Sequence, residues 1–299
     1  MNAEQLAQAL GAKKSGRQWK CKCVVHEDRS PSMIIFDGRN AVQVRCLAGC
    51  EPADIIAVLR SRGLWEGSEH HQNHSLTPSL SHERQNRERE LQRLRVLARC
   101  LFDDAQPIVG TVAQRYFDSR DLWSVARMID DIRFHPRCPF GSERGMAVVV
   151  AMRHIHTNAI TAIQRIRLDR QGRKISKGMM IGGAAGAAMK LQHLQDGSLH
   201  ICEGLETGLA VIAMDHGPVW ALGSTSLIQS FLVLEDVNEL HIWADHDPID
   251  PKTGKHPGFR ASDRCEQRWL EAGKQVSTWY PRIEGKDHAD VWSARCARL

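Results

Sequence analysis

Two acidic motifs stand some forty residues apart in the last third of the chain. Glu203-Gly204-Leu205-Glu206-Thr207 follows the apolar run Leu199 to Cys202, and Asp245-His246-Asp247 follows Leu240 to Ala244. Short apolar runs of this kind read as buried strands, and open α/β sheets place their ligand sites at the C-terminal edge of such strands. Three carboxylates converging there repel one another, because like charges within a few ångströms disfavour joint ionisation. A hard dication relieves that repulsion. Glu203, Asp245 and Asp247 are therefore candidate ligands for Mg²⁺ or Mn²⁺, with phosphate as the other partner of the ion. Glu206, at the start of the following helix, is equally well placed to complement the helix dipole.

A second constellation lies near the N-terminus. Cys23-Val24-Val25-His26 and Cys46-Leu47-Ala48-Gly49-Cys50 are two short-spaced pairs separated by nineteen residues. Three thiolates and an imidazole on two turns suit a closed tetrahedral Zn²⁺ site, with Gly49 easing the chain round the metal. Cys21 is a fifth candidate, and its reading is that of a neighbour to the ligands. Nine cysteines, four of them crowded into the first fifty residues, point to metal binding in a reducing compartment.

The elements that must position these groups fall into four stretches. Residues 1–65 form a compact Cys/His unit closing on a helix from Pro52 to Arg62, and the polar, His- and Ser-rich residues 66–85 read as a linker. The spacing of Leu91, Leu94, Val96, Leu97, Leu101 and Phe102 predicts a helix over Glu83 to Asp104. It opens a helical and α+β basic domain, residues 86–196, with a helix at Thr111 to Arg120. Two strands follow, Met146 to His154 and Ala159 to Leu168, with a turn at Asp169-Arg170-Gln171-Gly172. From Ser198 strands alternate with helices through Val276 to Tyr280, which predicts a small parallel sheet wrapped on both faces over residues 197–299.

A chain of 299 residues with 42% apolar content supports about two domains with real cores. The formal charge of +5 suits a polyanionic partner without requiring one. No leader and no apolar run approaching a membrane span is visible, so a cytoplasmic protein without membrane contact is expected.

Two resemblances sharpen these readings. Trp19 to Trp65, with Cys23-x-x-His26, then Asp28-Arg29-Ser30-Pro31-Ser32, then the Cys46/Cys50 pair, resembles the zinc-binding domain of phage and plasmid primases. It departs from that pattern at Val24, where proline is common. The resemblance implies contact with single-stranded template, for which Lys20, Lys22, Arg29, Arg39 and Arg45 are the available cations. Glu203-Gly204 followed by Asp245-x-Asp247 resembles the Toprim signature shared by bacterial-type primases, type IA and II topoisomerases and certain nucleases. The likeness extends through Trp220-Ala221-Leu222-Gly223-Ser224 and Gly285 to Asp290, whose Asp287 and Asp290 resemble the closing Asp-x-x-Asp of the family.

The Toprim resemblance implies that Asp245 and Asp247 hold one or two Mg²⁺ ions on a nucleotide triphosphate, with Glu203 as a further ligand or as general base. It also implies that a basic segment ahead of the Toprim unit holds phosphates. Here Arg165, Arg167, Lys174, Lys177 and Lys190 surround the glycine-rich run Ile181 to Gly186. The expectation is an α/β Toprim-like enzyme with an α+β extension and a separate zinc ribbon. Its activity would be that of a primase, a DNA-directed RNA polymerase making short RNA primers on single-stranded DNA from ribonucleoside triphosphates. With no Walker phosphate loop in the sequence, unwinding falls to a separate replicative helicase. The competing readings are a metal-dependent Toprim nuclease and a noncatalytic single-strand-binding replication or defence factor.

Overall fold

Alternating apolar residues write the first sheet. Met33 and Ile35 on one strand and Val44 and Cys46 on the next point inward, while Ile34 and Arg45 pair on the outer face. In this computed structural model the described residues are 2–16, 18–26, 28, 30–38, 42–47, 50, 52–65, 78–195, 197–251, 254 and 256–298, with backbone only for 78–83. The chain divides into two compact units, residues 1–75 and 76–299.

The first unit runs α1 (Ala3–Ala9), β1 (Lys13–Ser15), β2 (Gln18–Cys21), β3 (Met33–Asp37), β4 (Val42–Cys46) and α2 (Pro52–Ser61). The four strands form one sheet in sequence order, each antiparallel to the next. Asn2 and Gln5 close a capping box at the start of α1, and the Asp37 carboxylate accepts from Ala3 N at 2.8 Å, pinning that helix to the end of β3. Leu6, Met33, Ile35, Ile55 and Leu59 are fully buried between sheet and helices. A core of this size calls for a staple. Lys20 and Arg45 flank Ile34 on the outward face of the sheet, and Lys22 is exposed. Arg29, Arg39 and Gly49 lie outside the described residues.

The second unit opens with α3 (Pro78–Asp103), a helix that starts five residues before the expected Glu83, so the last eight residues of the expected linker are helical. The rest of that linker, 66–77, lies outside the described residues. There follow β5 (Gln106–Pro107), α4 (Val112–Asp118), α5 (Trp123–Ala126), β6 (Ile132–Phe140), β7 (Glu143–His154), β8 (Ile160–Leu168), β9 (Met179–Gly182) and β10 (Ala187–Lys190). The last part comprises β11 (Ser198–Cys202), α6 (Leu205–Ala213), β12 (Val219–Ala221), α7 (Thr225–Gln229), β13 (Glu239–Trp243), α8 (Pro257–Glu271), β14 (Gln275–Trp279) and α9 (His288–Cys296).

The expected parallel sheet is present as β12-β11-β13-β14, all mutually parallel. It does not stand alone. Strand β10 pairs antiparallel with both β12 and β7, so the parallel strands continue into an antiparallel half and the two make one ten-stranded sheet. Alternation along β7 shows both faces covered: Val148, Val150 and Met152 pack with α4 and α6, whereas Ala147, Val149 and Ala151 pack with α3. Along β11, Leu199 and Ile201 face α7 and α8 in a cluster centred on Trp269. Among the described residues no helix is long and apolar enough to cross a membrane.

The glycine-rich run owes its composition to close packing. Gly182 has φ +104°, and a Cβ there would collide with the Thr161 carbonyl and Ala162 Cα of β8, while one at Gly183 would meet Arg95 and Leu91 of α3. Gly182→Ala should therefore lower unfolding stability by more than about 1 kcal/mol, read as a drop in Tm with far-UV circular dichroism largely retained at low temperature. An unchanged Tm would show that β8 and β9 do not approach this closely.

Candidate functional site

The C-terminal ends of β11 and β13 deliver the acidic groups. Glu203 follows β11 directly, and its carbonyl accepts from Gly223 N at 2.7 Å, tying it to the loop after β12. Asp245 lies two residues beyond β13, and the peptide at His246 is laddered to the next loop through His246 N to Lys286 O, 3.2 Å, and Gly285 N to His246 O, 2.6 Å. That ladder brings in Asp287, which caps α9 by accepting from Asp290 N at 2.7 Å. Gly258 in the first turn of α8 leaves room for the whole segment, since a Cβ there would strike the Asp245 carbonyl and stand 3.3 Å from Asp247 Oδ2. Glu203, Asp245, Asp287 and Asp290 line one cavity of about 430 Å³. Asp247 stands beside it, close enough to act electrostatically on Glu203 and Asp245.

Burial and mutual repulsion govern these acids. Asp245 is pushed up to about 8, by burial first and then by Glu203, Asp287 and Asp247. Glu203 is pushed up to about 7, by burial first and then by Asp247, with Lys177 pulling the other way. Asp287 is also raised by burial, against the hydrogen bond from the Asp290 amide. Glu206 behaves oppositely: burial works to raise it, but Lys174 at 2.6 Å and the Tyr116 hydroxyl carry it below the ordinary carboxylate value. Asp245 Oδ1 is buried with no hydrogen-bond partner among the described residues. An orphaned carboxylate oxygen amid raised, oxygen-only donors fits a hard divalent cation.

Cations face the acids across the same cavity. Lys174, Lys177 and Arg120 line it together with Gln164. Strand alternation sends the other expected cations elsewhere. Gln164 and Ile166 of β8 face the cavity, so Arg165 and Arg167 point to the opposite face. There Arg165 lies buried 5.0 Å over the Phe140 ring and donates to Pro139 O, and Arg167 pairs with Glu143 at 2.7 Å. Lys190 is turned away too, donating to Ile155 O at 2.9 Å with its ammonium 4.7 Å from the Trp220 ring. The Ile181 to Gly186 run is not in the cavity lining either. Arg120 and Gln164 escaped the sequence reading, because no spacing or motif links them to residues 203–290.

In the first unit, Cys23, His26, Cys46 and Cys50 present donor atoms that all lie within 4.8 Å of one another. His26 Nδ1 is 3.1 Å from Cys50 Sγ, and its Nε2 is 2.7 Å from Asp28 Oδ1. Asp28 also accepts from Cys23 N, Ser32 N and Ser32 Oγ, bonds that hold its carboxyl down at about 2 and fix it as the group that orients the imidazole. Burial and the neighbouring Cys46 and Cys23 push the Cys50 thiol up to about 12, a crowding that a soft-tolerant cation such as Zn²⁺ relieves by taking thiolates. Cys21 is outside this group; burial, Cys23 and Asp28 raise its thiol to about 11.

Residues 198–298 match the Toprim domain family. The C-terminal region is a Toprim domain. Residues 92–191 match a domain of unknown function, DUF7146. The chain is similar to the zinc-binding and RNA polymerase domains of the Aquifex aeolicus primase, at 14% identity and TM-score 0.46, over 98% of this chain and 82% of that one. It is also similar to a DNA primase domain from Pseudomonas aeruginosa, at 14% identity and TM-score 0.47, over 69% and 77% of the two chains. No curated protein sequence matches the chain.

Within the Toprim domain the acids are held against their own repulsion, which sets a stability test. The Asp245 carboxyl is neutral below its ordinary value of 3.8, and the cost of ionising it in the fold grows with pH and is complete above about 8. Asp245→Asn should then raise Tm by about 2–6 °C at pH 9 without added divalent ions, with no gain at pH 4. A gain independent of pH would deny that charge is the cause. In the first unit, metal analysis should find about one zinc per chain in the parent protein and none in Cys46→Ser, and unchanged zinc content would remove Cys46 from the site.

Proposed function

We propose that the chain is a primase: it makes short RNA primers on single-stranded DNA from ribonucleoside triphosphates by metal-dependent nucleotidyl transfer. The observation that carries this reading is one Toprim cavity with acids on one wall, Glu203, Asp245 with its unpartnered oxygen, and Asp287, and cations on the other, Arg120, Lys174 and Lys177. A triphosphate bridges such walls. Glu203, Asp245, Asp247 and Asp287 would hold Mg²⁺ or Mn²⁺, which when bound supplies charge neutralisation at the phosphates during in-line displacement.

The residues of the chain do the rest. Lys174 and Lys177 bind phosphate oxygens, and the planar fork of Arg120 orients them. Glu203, on the acid wall, would either complete the metal shell or take the proton of an attacking 3′ hydroxyl. Cys23, His26, Cys46 and Cys50 would hold zinc in residues 1–65, where Lys20, Lys22 and Arg45 offer phosphate contacts to template. Residues 86–196 would serve as the basic domain and 197–299 as the catalytic one. A separate replicative helicase would supply single-stranded template.

The test is incubation with single-stranded DNA, labelled ribonucleotides and Mg²⁺ or Mn²⁺. Short RNA should appear with the parent protein, and Glu203→Gln, Asp245→Asn and Asp287→Asn should each lose about a hundredfold or more of the rate while zinc content stays intact. Metal-dependent cleavage of the DNA with no RNA made, lost in the same variants, would transfer the site to a nuclease.

A further inference from the structure

The six acids in and beside the cavity do not form one set. Glu203, Asp245 and Asp287 have raised carboxyls, and Asp245 keeps an unpartnered oxygen, whereas Glu206 is already committed to two donors. Its Oε1 accepts from Lys174 Nζ at 2.6 Å and from the Tyr116 hydroxyl. Tyr116 is fully buried, and the Arg120 guanidinium lies 4.2 Å from the centroid of its ring. Two of the three cavity cations thus rest on the Tyr116–Glu206 pair.

The backbone that carries Lys174 is fixed independently. Ile175 N donates to Arg167 O at 2.9 Å, and Lys174 bridges to Leu168 at the end of β8. The intervening turn is locked by the Asp169 carboxylate, which accepts from Gln171 N and Arg173 N, both at 2.9 Å. Gly172, at φ +83°, lets the turn sit against α4, where a Cβ would stand 2.9 Å from Val112 O. Of the three ammonium donors on Lys174 only one has a partner among the described residues, and the ammonium is part of the cavity wall. The other two are available to an anion.

We propose that Glu206, held by Tyr116, is a positioning residue that aims Lys174 at the polyphosphate of a bound nucleotide, and that Glu206 is not a ligand of the divalent ion. The inference rests on the nucleotide-polymerising reading above. It divides the site into a metal half, Glu203, Asp245 and Asp287 with Asp247 beside them, and a phosphate half, Lys177 together with Lys174 and Arg120 set on Glu206 and Tyr116. Removing the Glu206 charge frees the Lys174 side chain to sample other rotamers, so binding energy is lost through Lys174 alone.

The test uses the full chain with Mn²⁺ alone, followed by electron paramagnetic resonance, and with Mg²⁺–ATP and inorganic tripolyphosphate, followed by calorimetry. Lys174→Ala and Glu206→Gln should each weaken ATP and tripolyphosphate binding about tenfold, and the double variant should be no worse than Lys174→Ala. Tyr116→Phe should give a smaller loss of the same kind. Mn²⁺ affinity should be unchanged in Glu206→Gln and fall in Glu203→Gln. Additive losses in the double variant, or a loss of Mn²⁺ affinity in Glu206→Gln equal to that in Glu203→Gln, would overturn the proposal. A parent protein that binds Mn²⁺ and neither phosphate ligand would instead overturn the nucleotide reading. ATP binding by the parent that Glu206→Gln leaves unaltered would overturn the positioning role alone.

Discussion

Repulsion among carboxylates at the end of parallel strands is the constraint around which the second unit is arranged. Each acid reaches the cavity from a different strand end or helix cap: backbone hydrogen bonds from Gly223 N to Glu203 O and from His246 N to Lys286 O hold the main chain at the first two, and Asp287 is held by its own carboxylate, which accepts from Asp290 N. The ties at Glu203 and beside Asp245 leave those two carboxylates unpaired among the described residues, and burial together with repulsion among the acids raises Asp245 and Glu203 to about 8 and about 7. A site built this way is preorganised for a dication and is destabilising without one.

The antiparallel half of the sheet supplies the opposite charge. Strand β10 joins the two halves, and β8 with the turn that follows it brings Gln164, Lys174 and Lys177 to the open side of the parallel strands. Sheet continuity makes the distance between the acid wall and the cation wall a property of the core, so packing at Met152, Ile166 and Leu205 bears directly on the site.

The parallel strands and their acids were legible because buried strands write continuous apolar runs and because each acid stands at a run's end. The Cys/His group was legible because its ligands are paired locally in sequence. What stayed hidden has physical reasons. Strand β6 contains Pro136 and Pro139 and bulges between His135 and Cys138, which erases the period-two signal. Strands β9 and β10 border a glycine run whose role is close backbone approach, and the same run in isolation suggests a phosphate loop. The cations near it divide by strand parity. Parity was readable, but a strand covered on both faces gives no sign of which face meets the cavity, so Arg165 and Arg167 could not be told from Gln164 and Ile166. Asp28 was visible within a motif, yet its hydrogen bond to His26 depends on how the two side chains are aimed, which spacing does not announce.

The most direct measurement of the central claim is a crystal structure of the full chain with Mn²⁺ and a non-hydrolysable ribonucleoside triphosphate, read by manganese anomalous scattering. The account predicts anomalous density among Glu203, Asp245, Asp247 and Asp287, with the triphosphate extending to Lys174 and Lys177. Manganese bound away from these carboxylates, or a nucleotide seated outside this cavity, would contradict it.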